Sequence, residues 1–403
     1  MELTTVEKAL KIVLENSKNL PTETVSLTNS VGRVLKENIV ADRDFPPFNR
    51  VSMDGIAIDI QTFINGQRTF KIEGIQPAGS PQITLLNTEN CVEVMTGAML
   101  PKNTNAVIPY EKVEIKNGIA KIVIKELKHF QNIHKKGLDR KENDVLISEN
   151  TIISSAEIGV MATVGKSEVK VAKNPKVLII STGNELVDVN EMPKEHQIRR
   201  SNVYTLLTQL QILGITAETT HINDDKSVLK QKIETFLEIY DVLLFSGAVS
   251  KGKFDFIPEV LADLGVKKLF HKVQQRPGKP FWFGKKIVDN KKSTVIFAFP
   301  GNPVSTFVSC LKYFIPWYTK SLGLKSTPKS AILSEDFTFK PQLTYFLQVK
   351  LVEKEGKLIA TPIAGKGSGD LANLVDCDGF LELPYNKTNF TKGEVYPLIT
   401  FRK

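Results

Sequence analysis

Val295-Ile296-Phe297-Ala298-Phe299-Pro300-Gly301-Asn302-Pro303-Val304-Ser305 is an apolar, partly β-branched run that breaks at a proline-glycine turn. A helical stretch follows Pro303. A second segment repeats the pattern: Val177-Leu178-Ile179-Ile180 leads into Ser181-Thr182-Gly183-Asn184-Glu185-Leu186. A third turn, Arg276-Pro277-Gly278-Lys279-Pro280, precedes the aromatic run Phe281-Trp282-Phe283. Strand, glycine-rich turn and helix in succession aim free backbone N–H groups and a positive helix end at an anion. These loops predict a chain built to hold phosphate or a similar oxyanion.

Around them, residues 174–326 alternate between strand and helix. Helices are predicted over 201–213, ended by Gly214, over 226–240, over 257–264 ended by Gly265, and after Pro303. Between them, Asp241-Val242-Leu243-Leu244-Phe245 runs into the turn Ser246-Gly247-Ala248-Val249-Ser250. This alternation predicts a doubly wound, mostly parallel α/β sheet, with ligand at the carboxyl ends of its strands. Upstream, Thr4-x-x-Glu7 has the form of a capping box before the apolar stripe Val6, Leu10, Val13, Leu14. Residues 1–40 and 144–173 read as one discontinuous helical linker domain, and 41–143 as an inserted β domain. Asn117-Gly118 between alternating segments marks a hairpin in that insert. Residues 327–403 read as a small C-terminal β domain, with a hairpin turning at 353–357.

A chain of 403 residues with 41% hydrophobic and 24% charged residues is expected to be a soluble globular protein of several domains. The start of the chain reads as an acidic helix rather than a signal peptide. No uninterrupted apolar segment is long enough to cross a bilayer. Three scattered cysteines, Cys91, Cys310 and Cys377, read as reduced thiols in a cytoplasmic protein. The net charge of +9 suits an anionic partner. Lys267, Lys268, Lys272, Arg276, Lys279, Lys285 and Lys286 crowd around one loop region. Without zinc-finger spacing or an aromatic-basic signature, a small, multiply charged ligand is expected rather than nucleic acid or a membrane.

Five separated motifs occur in order: Ser52-Met53-Asp54-Gly55, Met95-Thr96-Gly97-Ala98, Ser181-Thr182-Gly183-Asn184-Glu185-Leu186, Pro277-Gly278-Lys279-Pro280 and Pro300-Gly301-Asn302-Pro303-Val304-Ser305. Together they resemble the molybdopterin molybdenumtransferase family, MoeA in bacteria and the E domain of gephyrin in animals. The resemblance implies an elongated homodimer of four-domain subunits that completes molybdenum cofactor synthesis. Adenylylated molybdopterin and molybdate would be the substrates, Mg2+ would assist, and AMP and molybdenum cofactor would leave. A molybdopterin adenylyltransferase would supply the substrate.

Carried over by motif, Glu185, Asp224 and Asp255 are the expected metal and phosphate acids, since hard cations prefer carboxylate oxygens. Helix capping is the competing role for Asp224 and Asp225. Lys272, Arg276 and Lys279 match basic positions that hold molybdate and phosphate, the lysines as point charges and the arginine as a planar fork. Gly183, Asn184, Ser246, Gly247, Ser250, Pro300, Gly301, Asn302 and Pro303 make the expected binding turns. Ser368 matches a serine that helps to hold molybdate, with a ligand-free hairpin tip as its competing reading. Asp54, Thr96 and Asp139 match positions that face the dimer cleft from the opposite subunit; for Asp54 before Gly55 a turn role competes.

Three positions depart from the family pattern. Ile56 replaces a tyrosine, Ala248 the second glycine of a pair, and Gln348 an arginine expected to meet molybdate. An amide offers no cation, so weaker oxyanion binding is expected there. Tungstate insertion and a non-catalytic molybdopterin-binding scaffold are the alternative functions.

Overall fold

A computed structural model describes residues 3–247, 249, 255–288, 292–365 and 367–402. Its contacts divide the chain into two compact units, one of Met1–Thr24, Gly32–Val34 and Lys170–Lys403, the other of Val25–Val31 and Leu35–Val169.

The first unit is organised by a six-stranded sheet in the order Ala217–Ile222, Val177–Thr182, Val242–Ser246, Ser293–Phe299, Trp282–Ile287, Lys267–His271. The first four strands are parallel. The last two are antiparallel, so the sheet is mostly parallel, as the alternation of strand and helix led us to expect. The short loop holding Gly278 and Lys279 feeds Trp282–Ile287, and its strand turns straight back into Ser293–Phe299. The two strands pair antiparallel, from Trp282 opposite Ala298 to Ile287 opposite Ser293.

Strand alternation covers both faces. Ile179, Leu244, Phe297 and Phe299 pack with Leu206, Leu210, Phe314 and Trp317. Leu178, Leu243, Phe245 and Ile296 face Leu229, Ile233, Val260 and Leu261 on the other side. Phe297 is fully buried and meets the Trp317 ring edge-on at 5.8 Å. Truncating such a side chain to alanine costs about 3–5 kcal/mol.

Register places the functional turns side by side. Ser246 pairs with Ser181 on one flank and with Phe299 on the other. The Gly183, Gly247 and Pro300-Gly301 turns therefore leave adjacent strands at one edge of the sheet. The helices form where expected, over Ser201–Ile212, Lys226–Ile239, Ile257–Asp263 and Pro303–Ser309. At the N-terminus, Thr5 rather than Thr4 caps Val6–Glu15, its hydroxyl accepting from the Lys8 N–H at 3.2 Å. Thr4 instead bridges to Val273, which takes it out of capping range.

The C-terminal strands close on themselves. Thr344–Lys354 pairs with both Lys357–Pro362 and Gly379–Leu383, and Lys329–Leu333 and Val395–Thr400 complete the ring. The hairpin turns at Glu355-Gly356, where both residues have positive φ. Gln275–Arg276 adds to this barrel as a parallel strand beside Thr344 and Tyr345, tying the Pro277-Gly278-Lys279 loop to it.

The second unit carries its own six-stranded sheet, in the order Ala106–Pro109, Gly55–Ile58, Cys91–Val94, Thr69–Gln76, Ile119–Ile122, Val113–Lys116. Asn117 and Gly118 turn the expected hairpin with φ of 51° and 73°. Gly55 is required by close approach, because a Cβ there would lie 1.9 Å from the Ile108 carbonyl oxygen. Ile56 is fully buried in this unit's core, beside Ile58 and Ile108. Ser154 and Glu157 form a capping box for the Ser155–Thr163 helix. Among the described residues, no helix is long and apolar enough to cross a membrane.

Candidate functional site

Two pockets open at the strand-end turns of the first unit and share Pro280, Pro300 and Asn302 in their walls. The larger, about 830 Å3, is lined by Gly183, Glu185, Asp224, Ser246, Gly247, Asp255, Gly301 and Pro303 among others. The expected acids therefore face one space. Gly183 has φ of 134°, and a Cβ there would lie 2.5 Å from a Glu185 carboxylate oxygen. Only glycine lets that carboxylate fold back over its own turn. Asp225, not Asp224, caps the following helix, accepting from the N–H groups of Ser227 and Val228 at 2.8 and 3.0 Å. Asp224 is positioned through its backbone, its N–H donating to Asn184 Oδ1 at 3.1 Å. Asn184 thus acts behind the wall rather than in it. Ser250 lies outside the described residues.

Hard oxygen donors of this kind suit a divalent cation that keeps water ligands. Among the described residues, no group of three or more His, Cys, Asp and Glu side chains is gathered tightly enough to hold a metal ion alone. The donor chemistry fits a cation whose shell is completed by water and substrate oxygens.

The smaller pocket, about 500 Å3, is lined by Arg276, Gly278, Lys279, Ser305, Gln348 and Ser368 among others. Gly278 has φ of 93°, and a Cβ there would lie 2.6 Å from Gln275 Nε2 and 2.8 Å from Ser309 Oγ. The tight loop leaves Lys279 exposed on its crest. Asn302 Nδ2 donates to Ser368 Oγ at 2.7 Å, and the Val304 N–H donates to the Ser368 carbonyl at 3.1 Å. Ser368 is therefore bonded to the α/β turn and is no free hairpin tip. Lys272 lines neither pocket; its N–H donates to the Phe281 carbonyl at 2.9 Å, and its φ is 74°.

Gln348 is buried in the smaller pocket's wall. Its Oε1 accepts from Asn373 Nδ2 at 2.6 Å and from the Cys377 thiol at 3.3 Å. The Asn373 donor turns the amide's N–H side away from it, while the single thiol hydrogen is shared between this oxygen and the Asn373 carbonyl, 3.0 Å from the sulfur. Burial pushes the Cys377 thiol up to about 11, so it stays a protonated donor.

In the second unit, the Asp54 carboxylate accepts from the Thr96 N–H at 2.6 Å and the Thr96 hydroxyl at 2.7 Å. The Thr96 N–H, then its hydroxyl, hold Asp54 below the usual carboxylate range. Asp139 pairs with His134 Nε2 at 2.8 Å.

The larger cavity also exposes residues that sequence motifs did not single out: Arg199, Arg200, Ser201 and Asn202. Asn202 Nδ2 donates to the Gly301 carbonyl at 2.7 Å, fixing this helix start to the Pro300-Gly301 turn. Arg200 pairs with Asp188, whose other oxygen accepts from the Tyr204 hydroxyl at 3.2 Å. The one available signal was the position of Arg200 immediately before a predicted helix.

Three family models cover the chain in sequence. Residues 4–165 match the MoeA N-terminal region (domain I and II), 178–320 a probable molybdopterin binding domain, and 330–401 the MoeA C-terminal region (domain IV). A Synechocystis protein named molybdopterin molybdenumtransferase is 42% identical over 97% of this chain and 98% of its own length. A protein of the same name from Staphylococcus aureus strain COL is 30% identical over 98% of this chain and 94% of its own. The crystal structure of a molybdopterin biosynthesis MoeA protein from Pyrococcus horikosii superposes with a TM-score of 0.85 at 31% identity, covering all of both chains. With the glycine turns, the paired pockets and the closing C-terminal barrel in one chain, these likenesses place the protein in the MoeA family of molybdopterin molybdenumtransferases.

Proposed function

We propose that this chain inserts molybdate into adenylylated molybdopterin and hydrolyses the adenylate, releasing AMP and molybdenum cofactor. The observation that carries this is the shared wall of the two pockets. One is lined by Glu185, Asp224 and Asp255, the other by Arg276, Lys279 and Ser368. A substrate with a phosphoanhydride at one end and an oxyanion acceptor at the other would lie across Pro280, Pro300 and Asn302.

In this reading Glu185, Asp224 and Asp255 hold Mg2+, which when bound would neutralise charge on the phosphate oxygens. Asp255 orients the attacking water and takes its proton. A new P–O bond forms from that water, the bridging P–O bond breaks, and AMP leaves. Arg276 offers a planar two-point fork to molybdate and Lys279 a movable charge. Ser368, held by Asn302, adds a hydroxyl, and the Gln348 amide replaces a cation with a neutral donor. We place Asp54, Thr96 and Asp139 at the site of a partner subunit in a cytoplasmic homodimer, supplied by a molybdopterin adenylyltransferase.

Purified protein with adenylylated molybdopterin, Mg2+ and molybdate should release AMP, with release dependent on the oxyanion. Glu185→Ala and Asp255→Ala should abolish release while the protein stays folded. Full activity in both variants would remove the acids from the mechanism.

A further inference from the structure

The helix that begins at Pro303 does not run on unbroken. Between its α-helical halves, Pro303–Ser309 and Ile315–Ser321, Cys310–Phe314 forms a π turn, in which the Ile315 N–H donates to the Cys310 carbonyl five residues back. Pro316 has no N–H to give to the Lys312 carbonyl and its ring crowds that oxygen, so a wider turn relieves the clash. Turns of this kind are rare and frequently sit at functional sites. This one carries Tyr313.

Tyr313 is fully buried, and it reaches both stems of the 276–280 loop that lines the smaller pocket. Its hydroxyl donates to Gln275 Oε1 at 2.5 Å, on the residue just before Arg276. Its ring stacks on Phe281, the residue just after Pro280, with centroids 4.7 Å apart and planes 25° apart. Gln275 is also fully buried, and its Nε2 donates to the Pro277 carbonyl at 3.0 Å, inside the loop. With Oε1 taken by the hydroxyl, the amide has one orientation and passes the tyrosine's bond on to the loop backbone. Burial, and then the charge of Glu382, push the Tyr313 phenol well above its ordinary value, so the hydroxyl keeps the proton it donates. Arg276 and Lys279 ride on this loop with exposed side chains, so the backbone beneath them sets where their charges sit.

We propose that Tyr313, acting through Gln275, is a positioning residue for the oxyanion pocket: it clamps the 276–280 loop so that Arg276 and Lys279 present their charges to one bound oxyanion. This rests on reading the smaller pocket as the oxyanion end of the site. A loop held at both stems has little freedom left to lose when the ligand arrives, which favours binding without any added contact. Removing the hydroxyl frees the Gln275 amide to turn, and the Pro277 carbonyl loses its fixed donor.

The test uses molybdate as the probe, by equilibrium dialysis against the full-length protein, with hydrogen exchange of residues 274–281 followed by mass spectrometry. Tyr313→Phe keeps the ring stack and removes only the hydroxyl. Molybdate binding should weaken about fivefold, and the segment should exchange faster. Gln275→Met keeps the bulk but neither bond, and should weaken binding to the same degree. Tyr318→Phe is the control, since that hydroxyl donates to Asn174 Oδ1 at 2.7 Å rather than to the loop. It loses a comparable bond, yet should bind molybdate as wild type does. In AMP release the molybdate KM should rise in Tyr313→Phe with kcat at saturation unchanged, a split that general loosening of the fold would not give. Wild-type molybdate affinity in both Tyr313→Phe and Gln275→Met overturns the clamp, as does equal weakening in Tyr318→Phe. A wild type that binds no molybdate, while 274–281 still exchanges faster in Tyr313→Phe than in Tyr318→Phe, refutes the oxyanion reading of the pocket and upholds the clamp on the loop.

Discussion

Asn302 is the side chain through which charge and geometry in the oxyanion pocket are separable. It lines both pockets and donates to Ser368 Oγ at 2.7 Å. Asn302→Asp keeps the shape, and the serine hydroxyl can reverse to donate to the new carboxylate, so the tie survives. What changes is one negative charge, together with the serine's single proton, which now goes to position 302 instead of the oxyanion. An oxyanion bonded to Ser368 Oγ lies two hydrogen-bond lengths from position 302, roughly 5 Å. At that separation unit charges repel by about 3 kcal/mol at an effective dielectric of 20 and by about 0.8 kcal/mol in bulk water. A half-open site falls between these limits. A loss of about 2 kcal/mol corresponds to roughly thirtyfold weaker molybdate binding. Asn302→Ala removes the bond without adding charge, and its loss of about 1 kcal/mol is roughly fivefold. Molybdate binding by equilibrium dialysis at low and high salt distinguishes them. The aspartate variant should recover much of its loss at high salt, because exposed charges are screened, and the alanine variant should not. Equal losses with equal salt slopes would refute an electrostatic oxyanion pocket at this wall.

The two adjacent acids at the start of the Lys226–Ile239 helix should part company. Asp225→Ala removes the cap and should lower the melting temperature with AMP release largely kept, whereas Asp224→Ala should leave melting unchanged and impair release; the reverse pattern would exchange their roles. Burial, partly opposed by the charge of Asp241, lowers Lys18 from 10.5 to about 8. The unfolded chain then holds the extra proton between about pH 8 and 10.5, so this group's contribution makes stability rise with pH across that window. Lys18→Met should be more stable than wild type at pH 7 in urea melts, with the advantage shrinking as pH rises through the window; an advantage that stays constant would contradict the buried-ammonium account.

What was legible in the sequence is what contiguous residues determine. The Val295–Phe299 run and its Pro-Gly stop placed a strand end, and Asn117-Gly118 placed a hairpin, because each signal needs only its neighbours. The Asp224 and Asp225 ambiguity could not be settled that way. Both residues suit a cap, and the choice depends on Asn184, forty positions upstream, holding the Asp224 backbone. Long-range bonds decide the other cases too. Ser368 is drawn to Asn302 across 66 positions, and Gln348 is oriented by Asn373 and Cys377 from another part of the barrel. A missing arginine at Gln348 reads as simple loss of charge; the fold shows an amide whose oxygen is already committed. Thr182 and Arg200 make the same point from the opposite side, since Thr182 Oγ1 and Arg200 Nε are buried without a hydrogen-bond partner. Their interest lies in bonds they do not make, and no local pattern announces an unpaired buried donor. Motifs therefore locate the turns, while the chemistry of the site depends on which polar atoms the fold satisfies and which it leaves unpaired.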